Sequence, residues 1–223
     1  MKKLMDIDIA DLVPFSKGII VARKDVTKSG ETRINYLTYD VKLERPTIST
    51  RGAYLLNKFG ENFEKIAKQL SDVTYCDAAV LPNKHVAVAY TSGEIGLFND
   101  KGELYWTGDL MYKGAPVSGV AAEGKYLWCA VPDGNCIVRY SPATENIVLR
   151  IGGDTSTAFL KPVSLANYDD TLYVCNYRSC KIRTVNLKDF TVSDYKLFEE
   201  PVYRYFKTND RELVELDSGV YML

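Results

Sequence analysis

Along most of the chain, short apolar runs alternate with turn-forming clusters, the pattern of half-buried strands rather than helices. Tyr126-Leu127-Trp128-Cys129-Ala130-Val131, Leu172-Tyr173-Val174-Cys175-Asn176 and Leu213-Val214-Glu215-Leu216-Asp217 are such runs. A turn follows each: Pro132-Asp133-Gly134-Asn135, Tyr177-Arg178-Ser179 and Ser218-Gly219. Ahead of the three runs stand Pro116-Val117-Ser118, Pro162-Val163-Ser164 and Pro201-Val202-Tyr203. An earlier copy begins at Tyr75 and carries His85 to Tyr90, the turn Thr91-Ser92-Gly93, Ile95 to Phe98, and the hairpin signal Asn99-Asp100-Lys101-Gly102.

The copies start at 75, 116, 162 and 201, at spacings of 41, 46 and 39 residues. A period of that size with four short strands per unit predicts propeller blades. In the first 72 residues, Pro14-Phe15-Ser16 echoes the Pro-Val-Ser start, with strands at Gly18 to Arg23 and Arg33 to Asp40. Residues 53–70 read in two ways. Leu55, Phe59, Phe63, Ile66 and Leu70 have helix-compatible spacing. The repeat register, and a Gly60 that would weaken a helix interior, favour two strands. The last unit holds only three strands before residue 223, and Leu4 to Ile9 alternates apolar and polar. That segment supplies the missing fourth strand and closes the ring. The expected fold is therefore all-β, a single five-bladed β-propeller over 1–223. Its blades cover approximately 14–72, 73–115, 116–161, 162–200, and 201–223 plus the strand at 3–9.

Composition narrows the partners. Lys and Arg total 28 against 29 Asp and Glu, so no global positive field draws in a nucleic-acid polymer. No apolar stretch is long enough to span a bilayer. Asp6 and Asp8 interrupt any signal-peptide core, and five cysteines are an odd number for a disulfide framework. The expected setting is cytoplasmic and the expected state a monomer. Cys129 with Cys136 and Cys175 with Cys180 lie seven and five residues apart. Those gaps suit core packing between blades better than a metal site. No metal ligand set, cofactor motif or catalytic motif is present. Sixteen tyrosines are in excess and have to be accounted for by packing or by a site.

The Pro-led starts, the turns and the Leu172 to Asn176 strand make residues 73–223 resemble β-propeller repeats of the NHL and SMP-30/lactonase kind. The resemblance implies that the first strand of each blade lines a central channel. It also implies that this strand starts on the face carrying the loops between second and third strands. Two residues past each blade start come Ser16, Asp77, Ser118, Ser164 and Tyr203. Alternation in a strand then puts these small or polar side chains around the channel mouth, with Asp77 the one carboxylate among them. Lys17 and Arg204 follow at the next position. Tyr90, Asn176, Tyr177 and Arg178 form a second layer from the loops.

This set suits a non-catalytic binding module that holds a small polar molecule, of nucleotide or sugar type, or a peptide at the channel mouth. One alternative is a metal-dependent lactonase or a glycosidase-like hydrolase. It would need Asp40, Glu94, Asp133, Asn176 and Asp217 to converge from the loops. The other is a protein-interaction scaffold presenting Tyr105, Trp106, Tyr112 and Tyr205. His85, the sole histidine, starts a second strand and so belongs at the end away from Asp77 and Ser118, which disfavours a Ser-His-Asp triad.

Overall fold

The computed structural model describes residues 1–6, 8–40, 45–208 and 211–223. Five antiparallel four-stranded sheets form the blades of a β-propeller. Blade 1 is Ile9–Phe15, Gly18–Val26, Thr32–Asp40 and Thr47–Ile48. Blade 2 is Tyr75–Val80, Val86–Tyr90, Glu94–Phe98 and Leu104–Asp109. Blade 3 is Gly119–Glu123, Tyr126–Val131, Cys136–Ser141 and Asn146–Gly152. Blade 4 is Pro162–Tyr168, Thr171–Asn176, Lys181–Asn186 and Val192–Leu197. Blade 5 is Val202–Lys207, Glu212–Leu216, Gly219–Met222 and, as its outermost strand, Lys2–Met5.

The N-terminal strand thus completes the last blade, pairing Lys2 with Met222 and Met5 with Val220. Gly219 makes the approach feasible. Its φ is 144°, and a Cβ there would meet the Met5 carbonyl oxygen at 2.2 Å. The closing strand is shorter than the 3–9 expected. Residue 7 lies outside the described residues, and from Ile9 the chain is already the inner strand of blade 1.

Blade 1 departs from the sequence reading by one strand. Pro14 lies near the end of the inner strand, and Ser16-Lys17 is the two-residue turn that pairs Phe15 with Gly18. Residues 53–70 are helical, which corrects the expectation of strands. Helix α1 runs Arg51–Phe59 and helix α2 Phe63–Gln69. Thr50 caps α1 by accepting from the Ala53 N–H at 3.0 Å. Gly60 ends it at φ 76°, its N–H reaching the Leu56 carbonyl. Gly60 therefore acts as a helix terminator, not as a helix interior residue. Tyr54, Leu55, Lys58 and Phe59 form the buried stripe of α1.

The helices fill the space between blades 1 and 2. Tyr54, Leu55, Phe59, Ile66 and Leu70 pack between Val13, Ile20 and Ala22 of blade 1 and Val86, Val88 and Phe98 of blade 2. Elsewhere the blades meet sheet to sheet. Leu97, Cys129 and Val138 belong to the core between blades 2 and 3, and Trp128, Ile137 and Val174 to that between 3 and 4. Leu12, Ile19 and Val21 join Phe206, Leu213 and Val220 across blades 5 and 1. Between blades 4 and 5 a tyrosine cluster absorbs part of the aromatic excess. Tyr173 stacks on Tyr205 at 4.6 Å, with Tyr195 edge-on to Tyr173 at 5.1 Å. Tyr205, a residue of the scaffold alternative, is thereby buried.

All five cysteines are free, and Cys129, Cys136 and Cys175 are buried as packing residues. The repeat equivalence of Cys129 and Cys175 is offset by one. Val131 pairs with Cys136 and Asn176 with Lys181, so Cys129 corresponds to Val174, and the two thiols face opposite sides of their sheets.

Removing residues 1–6 should expose the edge of Gly219–Met222 and open the ring. The expected loss in Tm is about 10 °C or more, at roughly 2–4 °C per kcal/mol for a chain of this size. Gly219→Ala should give a smaller loss by crowding the same strand. Thermal unfolding followed by circular dichroism checks both, and a truncated chain that melts with the parent would contradict closure through this strand.

Candidate functional site

Four of the five inner strands, all but that of blade 3, carry an irregularity near their start. Register shifts fall between Ile9 and Asp11, Tyr75 and Asp77, Pro162 and Ser164, and Val202 and Arg204. A bulge adds one residue and re-aims the side chain that follows it. The equivalent ring positions are therefore Asp11, Asp77, Gly119, Ser164 and Arg204, each opposite the corresponding residue of its second strand. Their spacings are 66, 42, 45 and 40 residues. The long first interval holds the two helices, which is why the repeat was hard to follow there.

Asp11 and Asp77 show what the helix replaces. In both, Oδ1 accepts the N–H of the following residue, Leu12 or Ala78, at 2.8 Å. Asp77 Oδ2 accepts the Val120 N–H from the inner strand of the next blade at 2.9 Å. Asp11 has α1 beside it instead, and its Oδ2 takes hydrogen bonds from Lys58 Nζ and Tyr54 Oη. Arg204 Nη1 reaches Asp11 Oδ1 from blade 5. Ser118 Oγ continues the stitching by donating to the Val163 carbonyl at 2.8 Å.

Asp11, Lys58, Asp77, Ser118 and Arg204 line a cavity of 420 Å³ in the central channel, walled also by Glu215, Asn167, Tyr168, Tyr203 and Asn57. Burial pushes the Asp11 carboxyl up, but the charges of Arg204 and Lys58, with hydrogen bonds from Lys58 and Tyr54, outweigh it. Asp11 is held at about 2, below the usual 3.8. Asp77 and Glu215 lie the other way. Burial raises both, only partly opposed by Lys58 at Asp77 and by Arg204 at Glu215. The Arg204 Nε lies 3.6 Å from Glu215 Oε2, an ion-pair distance, and that oxygen accepts no hydrogen bond. Asn167 donates Nδ2 to the Ala122 carbonyl at 2.9 Å and leaves its buried Oδ1 without a donor.

Of the residues expected at the mouth, Asp77, Ser118, Ser164, Tyr203 and Arg204 do line this cavity. Tyr177 joins them at the rim, its ring 5.3 Å from Tyr203 and edge-on, while the Tyr203 hydroxyl donates to Asp217 at 3.0 Å. Arg178 is exposed on the adjacent turn. Ser16 and Lys17 are exposed on the hairpin at the opposite end of the inner strand, so neither belongs to the mouth. Tyr90 is buried in the core between blade 1 and blade 2. Asn176 is fully buried, its Oδ1 accepting the Leu160 N–H and its Nδ2 donating to the Val174 carbonyl, so both ends are used by the fold.

Asp11, Lys58 and Glu215 are the site residues the sequence reading missed. A signal existed for each. Ile9 to Phe15 followed by Ser16-Lys17-Gly18 is itself a strand-turn pattern. Lys58 is the one charge on the apolar stripe of the helix, and Glu215 interrupts an apolar strand. His85 sits at the far face, as expected, its Nδ1 3.3 Å from the Tyr105 hydroxyl. It lines an open, mainly apolar groove of 570 Å³ with Leu81, Pro82, Tyr105, Lys125 and Pro142. Among the described residues, no three His, Cys, Asp or Glu side chains cluster to hold a metal ion. No helix among them is long and apolar enough to cross a membrane.

No protein-family model matches this sequence, and no curated protein matches it. Its shape does match solved structures. The computationally designed Ika4 protein aligns at TM-score 0.52 and 14% identity over 68% of this chain and 91% of its own. The WD40 repeats of RRP9 align at 0.51 and 12% over 96% of this chain and 59% of theirs. Virginiamycin B lyase from Staphylococcus aureus aligns at 0.52 and 12% over 91% of this chain and 60% of its own. The chain thus spans about three fifths of the length of the last two. Identity this low carries the propeller fold and nothing about activity.

Asp11→Asn should leave Lys58 and Arg204 without their shared counter-charge and lower stability at pH 7 by about 3 kcal/mol. The parent should lose roughly 2 kcal/mol of Asp11's contribution as pH falls from about 4 towards 2, because its folded value is depressed. Denaturant titrations across that window should show this part of the acid dependence missing in the variant. An identical acid limb in both proteins would contradict the assignment.

Proposed function

We propose that this propeller is a non-catalytic binding module that takes a small polar ligand into its central channel. The observation that carries the reading is the 420 Å³ cavity, whose wall combines paired charges, buried acceptors without donors and tyrosine side chains. That size and mixture suit a sugar-like or nucleoside-like ring with hydrogen-bonding edges. A phosphate fits less well, since Lys58 and Arg204 are already engaged by Asp11. Tyr177 and Tyr203 would flank the mouth. The free cysteines agree with a cytoplasmic, reducing location, and a ring closed within one chain agrees with a monomer. Kinship with NHL or SMP-30-like propellers remains part of this proposal, resting on the Pro-led starts and the Leu172 to Asn176 strand.

The hydrolase alternatives lose support because two of the loop carboxylates they need are engaged locally. Glu94 accepts from Ser92, and Asp217 from Tyr203. One observation favours a scaffold role instead. The apolar groove at His85 and Tyr105 lies on the face opposite the mouth and is broad enough for a peptide.

A thermal-shift panel of neutral sugars, nucleosides, amines and nucleotides tests the channel reading. A channel ligand at one hundred times its Kd should stabilise the protein by about 2.7 kcal/mol. Asn57→Trp, at an exposed helix position lining the cavity, should remove that shift while leaving the unliganded Tm within a few degrees. A shift that survives Asn57→Trp and Ser164→Leu alike would place the ligand elsewhere. An unmoved panel, with a copurifying protein released by Tyr105→Ala, would replace this reading with the scaffold.

A further inference from the structure

The channel's charges do not balance, and the imbalance points to a ligand class. Three carboxylates line the cavity, those of Asp11, Asp77 and Glu215, against two cations, Lys58 and Arg204. Both cations converge on Asp11. Lys58 is held further by the Tyr75 ring, 5.1 Å from its Nζ, and only 4% of its side chain is exposed, so it cannot swing to another carboxylate without being uncovered. Asp77 accepts hydrogen bonds from two backbone N–H groups, of Ala78 and Val120, which bring no full charge. Glu215 has Arg204 only at 3.6 Å, and its Oε2 accepts nothing. Across the cavity wall, Asn167 Oδ1 is a second acceptor without a donor.

A buried acceptor without a donor costs stability, and an incompletely compensated buried carboxylate costs more. Glu215 Oε2 and Asn167 Oδ1 are closed off from water, while 16% of the Glu215 side chain stays open, so a ligand in the cavity has to bring its own donor to that carboxylate. A hydroxyl brings one donor and no charge. An ammonium brings three, and an amidinium brings several in one plane, each with the positive charge this wall lacks. The rings of Tyr168 and Tyr203, also part of the wall, offer apolar contact for the rest of the molecule.

We propose that the channel's ligand is a small organic monocation, an ammonium or amidinium group on a compact ring or chain, whose positive group donates to Glu215 and is shared with Asp77. This rests on the channel-binding reading above and narrows it to one chemical class. Burial raises the titration of the Glu215 carboxyl, so its ionised form weakens the free fold at neutral pH, a cost that a bound cation would offset.

Matched pairs test it by calorimetry at pH 7.5: tyramine against tyrosol, and glucosamine against glucose, with calcium chloride and inorganic phosphate as separate probes. The expected result is that at least one amine binds tenfold or more tightly than its hydroxyl partner. Glu215→Gln should abolish that preference while its Tm stays equal to or rises above the parent's. A purely structural Glu215 would instead lower the Tm and leave the amine preference intact, which overturns the proposal. Hydroxyl and amine partners binding alike would refute the cationic class yet leave the channel reading standing. Tighter binding of calcium or phosphate than of either amine would refute it in favour of that ion. Amine binding that persists in Asn57→Trp would remove the channel reading as well, and amines that bind no better than buffer would overturn the cationic class outright.

Discussion

Asp11 is gripped from two directions, by Arg204 of the last blade and by Lys58 of the helix that separates the first two blades. A propeller ring has to close somewhere, and here the chain closes it twice. On the outside, Lys2–Met5 completes the blade 5 sheet by backbone pairing. On the inside, the Asp11 cluster ties blade 5, blade 1 and α1 together at the channel wall. The two closures differ in kind. Backbone pairing removes an open sheet edge. The buried ion cluster contributes less net energy than its charges suggest, because desolvation offsets much of the attraction. Its effect is to fix which surfaces face each other.

That fixation shapes the channel. The repeated aspartate finds a backbone N–H in blade 2, because the blade 3 inner strand lies alongside. In blade 1 the same position faces a helix whose buried stripe includes a lysine and a tyrosine, and it recruits both. The insertion between blades therefore alters the electrostatics of the cavity as well as its shape. With both cations tied to Asp11, Asp77 and Glu215 are left with weaker compensation, and burial lifts their titration. The same arrangement that completes the ring leaves a polar cavity with acceptors to spare.

Much of the fold was legible in the sequence because its signals are local. The runs at Tyr126 to Val131 and Leu172 to Asn176 are short continuous apolar stretches, buried on both faces, and turn residues punctuate them. Blade 1 was harder for an identifiable reason. Residues 53–70 satisfy a helical period, and Gly60 reads as a helix breaker until it is seen as the cap that ends α1 at φ 76°. The site was legible only in part. Asp77 and Ser164 were placed correctly on the ring. Ser118 and Tyr203 are one residue off the equivalent positions, because the Pro-led starts are not in structural register: Pro162 lies opposite Asn176, but in blade 5 it is Val202, not Pro201, that lies opposite Leu216. Ser16 stood in for Asp11 because the first strand was assigned one strand too late.

By itself the sequence determined that this chain makes strands of a certain length, at a period that calls for blades, with a spare N-terminal strand to close them. Those properties follow from alternation and turn chemistry, which act over a few residues. The tertiary structure decided which side chains meet. Asp11 and Arg204 are 193 residues apart, and Asp11 and Lys58 are 47 apart. No local rule links them. Their contact depends on how many blades the ring holds, on where the bulges fall, and on a helix taking the place beside blade 1 where another blade's inner strand would otherwise lie.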